Sequence, residues 1–406
     1  MKIWHPYTQE ATELPPLEID RGEGPYLYTR DGRRLLDAIS SWWVNLHGHS
    51  HPVIAEAIAT QVRKLEHVIF AGFTHAPAEE LAAALGHILP APLDHIFYSD
   101  NGSTAVEAAL KIAVQYWHNK GKKEKCRIVA LEHAYHGDTI GAMSVSADSL
   151  FTAAFAALRL PVLRVGDAEG LERILAESRG EIAAMIVEPL IQGAAGMMIY
   201  PVERLKRFRE LCAANDVLFI VDEVFTGFGR TGRMFACDHA GIVPDLICVS
   251  KGLTGGFLPL AATVCRDEIY QAFCSSDRTR TLFHGHSYSG NPLGCAAAVA
   301  NLKIFDTEPV FQRIAAIERI HGERLAEFRN QAAVSDVRVL GTIAAIELHA
   351  EDRGYLSRIR TRLYPYFLEQ AILLRPLGNV IYTVPPYVIS ADDLHYVYDV
   401  IGKALR

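Results

Sequence analysis

From about residue 79 onward, short apolar runs fit for a sheet interior alternate with stretches at helical spacing. The strand-like runs are Asp94–Tyr98, Arg127–Leu131, Ala183–Val187, Leu218–Val221, Leu246–Val249 and Ala261–Cys265. Helical patterns occupy Glu79–Leu89, Ser103–Lys120 and Glu203–Asn215 between several of them. Runs with so little polar alternation belong to strands covered on both faces, and helices are what cover them. The pattern predicts an α/β fold with a mostly parallel sheet. In such sheets ligands gather beyond the carboxyl ends of the strands. The residues just past each run therefore matter most.

A chain of 406 residues is long for one core. Residues 1–50 read as an arm with a hairpin, Tyr26–Tyr28 and Arg34–Asp37 flanking an Asp31-Gly32 turn. Residues 51–300 read as a large domain, opening with a helix over His51–His67. Residues 301–406 read as a smaller α+β domain, entered by one long helix from Gly294 to Arg329. Its remaining elements are Val337–Leu340, Ile343–Leu348, Arg358–Gln370 and Val380–Val384. The seven cysteines form no CxxC pair, which suggests neither a zinc knuckle nor a disulfide framework. Met1–Glu10 lacks the apolar core of a signal peptide, and no 18-residue apolar stretch occurs, so a cytoplasmic protein is expected. The net charge of -7 gives no general attraction to nucleic acid or anionic membrane. Any phosphate must be held by a local site.

Three run ends carry candidate chemistry. After Phe97-Tyr98, Gly102 and Ser103 open a helix, offering N–H groups and a hydroxyl to a phosphate or simply capping the helix. After Leu218–Val221 come two adjacent acids, Asp222 and Glu223. A carboxylate there loses water and needs a cationic partner, yet nothing basic follows until Arg230. The plain alternative is an N-cap. After Leu246–Val249 comes Lys251 among small residues, either an exposed loop lysine or a buried amine kept neutral for Schiff-base chemistry. The acid and the lysine follow successive strands, along one sheet edge. A pyridinium ring between them, protonated by Asp222 and linked to Lys251, would answer both demands. That is the requirement of pyridoxal 5'-phosphate. The rival is a metalloenzyme using His47, His49, His51, His133, His136, His284, His286 and Asp138, but their spacing gives no defined ligand set and no HExxH occurs. A non-enzymatic binding protein would have no use for a Schiff-base lysine.

The motifs DNGSTAVEAALKIA, YHGDTIGAMS, IVEPLIQGAAG, VDEVFTGFGRTG, SKGLTGG and HSYSGNPLGCAAA span nearly the whole chain. Together they resemble the class III pyridoxal-phosphate aminotransferases, of fold type I. WHPYTQ, SSWWVNLHGHSHP and LLRPLGNVIYTVPPY are similar to the branch that aminates 8-amino-7-oxononanoate in biotin synthesis. The resemblance implies Lys251 as the aldimine lysine and proton shuttle, and Asp222 as partner of the ring nitrogen. It implies Gly102 and Ser103 on the phosphate and Tyr135 over the ring. It also implies a homodimer in which Gly285, His286 and Ser287 reach the other subunit's site. The biotin enzymes commonly carry Pro-Thr where His286-Ser287 stands, so the hydroxyl is kept while the backbone differs. Tyr7, Trp42, Tyr135 and Tyr382 are expected around the substrate, with Arg375 on its far carboxylate. Arg230 is either a second charge near the site or one partner of a loop salt bridge with an Asp or Glu. The implied amino donor is S-adenosylmethionine. Lysine is the alternative donor, and an ornithine or 4-aminobutyrate aminotransferase the alternative family member.

Overall fold

The computed structural model describes all residues except 1–2, 179, 352–353 and 355. Its centre is a seven-stranded sheet of β1 (His95–Ser99), β2 (Arg127–Leu131), β3 (Val162–Val165), β4 (Ile182–Val187), β5 (Leu218–Asp222), β6 (Leu246–Val249) and β7 (Ala261–Cys265), in the order β1-β7-β6-β5-β4-β2-β3. The pairs from β6 through β3 are all parallel, and only β7 runs against its two neighbours, β6 and β1. The sheet is thus mostly parallel, as the apolar runs predict. Every residue of β4, β5, β6 and β7 is buried. Separate apolar cores lie on the two faces.

On one face lies the helix Gly102–Asn119, whose buried stripe includes Ala105, Ala108, Ala109 and Ala113. Small side chains bring its backbone close enough for Thr263 Oγ1 to donate to the Ala105 carbonyl at 2.8 Å. That proximity seats the start of the helix at the sheet's carboxyl edge. The strand pattern of the sequence does not include β3, a short edge strand that Arg164 interrupts, leaving it without an apolar run.

A three-stranded antiparallel sheet, Val334–Leu340, Ile343–Leu348 and Val380–Thr383, packs with the helices Val310–Ala326, Arg358–Glu369 and Ala391–Ala404. The hairpin strands Tyr26–Thr29 and Arg34–Asp37 form, and Ile19–Glu23 and Ile372–Leu373 complete their sheet. The long helix expected over Gly294–Arg329 is two helices, Pro292–Thr307 and Val310–Ala326. Pro309 is the reason: the residue before a proline is pushed out of the helical region, and Glu308 is extended at φ -123° and ψ 157°. The helix expected from His51 ends early too, spanning Pro52–Val62. A fourth apolar cluster unites Ile39, Trp43, Phe225, Ile343, Val380 and Tyr382 from four separate stretches. Among the described residues no helix is long and apolar enough to cross a membrane.

Candidate active site

The carboxyl ends of β1, β2, β4, β5 and β6 open on one cavity of about 1390 Å³. Its lining includes Gly102, Ser103, Tyr135, Glu188, Asp222 and Lys251. At the end of β6 the chain turns sharply, with Lys251 at φ 42°, and the side chain enters the cavity. Its Nζ lies 4.7 Å from the ring centre of Trp43 and 5.6 Å from that of Phe225. No hydrogen bond or ion pair holds this amine among the described residues. Burial pulls it down to about 8, against the opposing pull of Asp222 and Glu188. A lysine in this state supplies free amine near neutral pH.

The two adjacent acids have separate duties. Asp222 Oδ2 lies 2.7 Å from His136 Nδ1, and its Oδ1 accepts from the Val224 N–H. The side chain beside Asp222 is thus an imidazole from the loop after β2. His136 Nε2 is buried without a hydrogen-bond partner. Glu223 turns away, accepting from Thr226 Oγ1 and from the Cys237 N–H, and so ties down the following loop. Burial pushes its carboxyl up to about 7.

Glu188, just past β4, is a further site residue that the sequence reading missed. Its carboxylate accepts from the N–H groups of Tyr135 and Gly193, at 3.0 and 3.1 Å. Burial pushes it up to about 7. The Tyr135 hydroxyl is 3.3 Å from that of Tyr7, which also donates to Asp138. The Tyr7 ring is 5.4 Å from that of Trp42. Tyr7, Trp42 and Tyr135 all line the cavity.

Asn101 caps the Gly102–Asn119 helix, its side chain accepting from Thr104 N–H while its carbonyl accepts from Ala105 N–H. The cap is thus neither Gly102 nor Ser103, whose N–H groups are the first two of the helix and lack carbonyls behind them. A side chain at Gly102 would strike Val224 Cγ1 at 2.6 Å, and one at Gly137 would strike Ser103 Oγ at 1.9 Å. The backbone is packed to leave this helix start open to the cavity.

The remaining expected residues are placed differently. Tyr382 is buried and accepts a hydrogen bond from Trp43 Nε1 at 3.3 Å, so it supports the lining from behind. Arg375 is not itself in the lining, and its guanidinium carbon lies 5.5 Å from the ring centre of Trp42, which is. Gly285, His286 and Ser287 lie outside the cavity of their own chain, on a loop whose His286 Nε2 is 3.9 Å from Asp100. Arg230 is fully buried and donates to the carbonyls of Pro385, Trp43 and Asn45 rather than to a loop Asp or Glu, while its charge adds to the depression that burial imposes on Lys251. Among the described residues no group of three or more His, Cys, Asp or Glu could hold a metal. Three of the histidines pair with single carboxylates: His49 with Asp37, His51 with Glu308 and His136 with Asp222.

These features fit pyridoxal 5'-phosphate. An amine without a hydrogen-bonded partner, a carboxylate across the cavity and a bare helix start match its aldehyde, ring nitrogen and phosphate. The class-III aminotransferase model matches residues 7–405. The adenosylmethionine-8-amino-7-oxononanoate aminotransferase of Synechococcus elongatus is 47% identical, over 99% of this chain and 98% of that one. The crystal structure of the Methanocaldococcus jannaschii enzyme of the same name superposes with a TM-score of 0.94 at 40% identity, over 99% of this chain and 96% of that one. A PLP-bound amine transaminase from an uncultivated Pseudomonas species gives a TM-score of 0.93 at 30% identity, over 100% and 98% of the two chains. The chain belongs to the class-III aminotransferases, enzymes that work with pyridoxal 5'-phosphate.

Proposed function

We propose that this enzyme transfers an amino group from S-adenosylmethionine to 8-amino-7-oxononanoate, forming 7,8-diaminononanoate for biotin synthesis. The observation that carries the site assignment is the amine of Lys251, which enters the cavity beside Trp43 without a hydrogen-bonded partner. The substrate assignment rests on full-length relatives of that name at 47% and 41% identity. Bound in the cavity, pyridoxal 5'-phosphate supplies the electron sink that lets an amino group leave one substrate and join another. Lys251 holds the cofactor and moves the proton at the reacting carbon through Nζ. Asp222, held in place by His136, would face the ring nitrogen. Gly102 and Ser103 hold the phosphate, while Tyr135 and Tyr7 close the site over the ring. Trp42 and Arg375 take the far end of the substrate, the guanidinium pairing with the oxononanoate carboxylate.

The enzyme works as a homodimer in this reading, each copy giving His286 and Ser287 to the phosphate end of the other's site and Gly285 to its substrate. Support comes from Phe283 and Tyr288, which flank these residues and are 78% and 65% exposed. Mixing Lys251→Ala with Ser287→Ala chains should regenerate some active sites with both groups intact. No recovery in verified hybrids would remove the shared site.

Borohydride reduction followed by peptide mapping tests the cofactor assignment, with the label expected on Lys251. A label on any other lysine overturns it. A single turnover with each candidate donor, read from the cofactor's absorbance, tests the substrates. Conversion by lysine but not by S-adenosylmethionine changes the donor; conversion only by ornithine or 4-aminobutyrate changes the family member.

A further inference from the structure

Ser40, Ser41, Trp42 and Trp43 form a turn of left-handed helix, with φ of 50°, 47°, 84° and 72°. Single non-glycine residues visit this region at a cost, and four in succession persist only where the surroundings hold them. The hold is visible. Asp37 is completely buried, and its Oδ1 accepts from the N–H groups of Ile39 and Ser41 at 3.2 and 3.0 Å. Its Oδ2 accepts from Ser41 Oγ at 2.7 Å and lies 3.0 Å from His49 Nε2. The other ring nitrogen of His49 is 3.2 Å from Asn45 Nδ2, beyond the turn. One carboxylate thus spans the start of the turn, and one imidazole ties that carboxylate to its exit.

The turn matters because its last two residues reach different parts of the site. The ring of Trp43 is the nearest aromatic face to Lys251 Nζ, while that of Trp42 lies between Tyr7 and Arg375. A right-handed or extended backbone here would send at least one indole away from the cavity, since side-chain direction follows φ and ψ. Neither Asp37 nor His49 lines the cavity.

We propose that Asp37 and His49 are positioning residues: together they lock the left-handed turn that sets Trp43 beside the amine and Trp42 at the carboxylate end. The proposal rests on the aminotransferase reading of the cavity but predicts a property of the protein without cofactor. Asp37→Asn keeps the volume and removes the charge that gathers four donors; His49→Gln keeps a donor and loosens the link to the exit.

Near-ultraviolet circular dichroism of the cofactor-free protein reports the packing of its four tryptophans. In both variants that signal should fall while the far-ultraviolet spectrum stays unchanged. In the loaded enzyme each variant should lower kcat for both half-reactions by about tenfold or more, the scale for misplacing a positioned group. Trp43→Phe added to Asp37→Asn should cost much less than it does alone, because the indole is already misplaced. Unchanged tryptophan dichroism in both variants, or full additivity with Trp43→Phe, overturns the proposal. Should Asp37→Asn fail to fold, the same measurements on His49→Gln support or overturn it by the same outcomes. Altered dichroism in an enzyme that never transaminates would instead sink the functional reading and leave the turn's lock standing.

Discussion

The deep end of the cavity and its mouth are built by different means. At the deep end, Lys251, Asp222 and Glu188 stand where parallel strands stop, so the sheet fixes their spacing. The backbone there is buried and hydrogen-bonded to both sides, and few side-chain contacts are needed to aim the groups. At the mouth, Tyr7 and Trp42 come from an arm and an irregular turn, and Arg375, from the segment after Ile372–Leu373, reaches the site only through the ring of Trp42. Their relation depends on ring contacts and on the lock at Asp37. A sheet edge serves chemistry shared by many substrates, whereas a rim of loops can change with the substrate. Damage at the deep end should therefore strike both half-reactions and damage confined to the mouth should strike one, while the lock at Asp37, which also sets Trp43 beside Lys251, serves both ends.

Lys251→Ala tests that contrast most severely. Loss of the amine should lower both half-reactions by about 1,000-fold or more, toward the upper range for removing a general base. Stopped-flow absorbance of each half-reaction would check it. A variant that retained one half-reaction would break the comparison. Asp222→Asn should come next, with about a hundredfold loss in both halves, roughly 3 kcal/mol of barrier. A loss under about threefold would remove Asp222 from the ring nitrogen, being less than ~1 kcal/mol.

At the mouth, Arg375→Ala should weaken the oxononanoate half-reaction by roughly 2–4 kcal/mol, the scale for breaking a desolvated charge pair. The donor half-reaction should change far less. Equal losses would mean that Arg375 serves the fold, or a carboxylate common to both substrates.

The smallest effect is on stability, and it concerns the cofactor-free protein. Lys251 sits at about 8 when folded, lowered by burial from its ordinary 10.5. Between those values the unfolded chain holds a proton that the folded chain has released, so stability rises with pH across that window. Below about pH 8 the charged amine costs stability in full. Lys251→Met should therefore raise the melting temperature most below pH 8, with the gain shrinking toward pH 10.5. A pH-independent gain would place the amine in a far wetter setting and weaken the deep-end argument.

The two ends also differ in how far they can be read from sequence. β5 and β6 announce themselves as uninterrupted apolar runs, so the residues after them are placed by the sequence alone. The pairing of Asp222 with His136 is not legible, because those residues are 86 positions apart and meet only when β2 and β5 are laid in the sheet. Glu188 follows an apolar run just as Asp222 does, and strand-end position alone could have found it. The left-handed turn at Ser40–Trp43 leaves no signal, since no glycine marks it and tertiary contacts impose it. Arg230 shows the same limit: its loop sequence gives no hint of the three carbonyls it meets.

Arg230 also bears on how the enzyme moves between its two substrates. It spans the carbonyls of Trp43, Asn45 and Pro385 from a position just after β5. Near-terminal parts of the chain at both ends are therefore pinned to the central sheet through one desolvated cation. Swinging either part outward would strand that cation in a dry interior, a large barrier to hinge motion at this point. Donor and acceptor then take turns in a cleft whose frame stays put, and the adaptation between them falls to side-chain rotamers around Tyr7 and Trp42. Turnover in such an enzyme should depend weakly on solvent viscosity, because no large body has to be dragged through water between one substrate and the next.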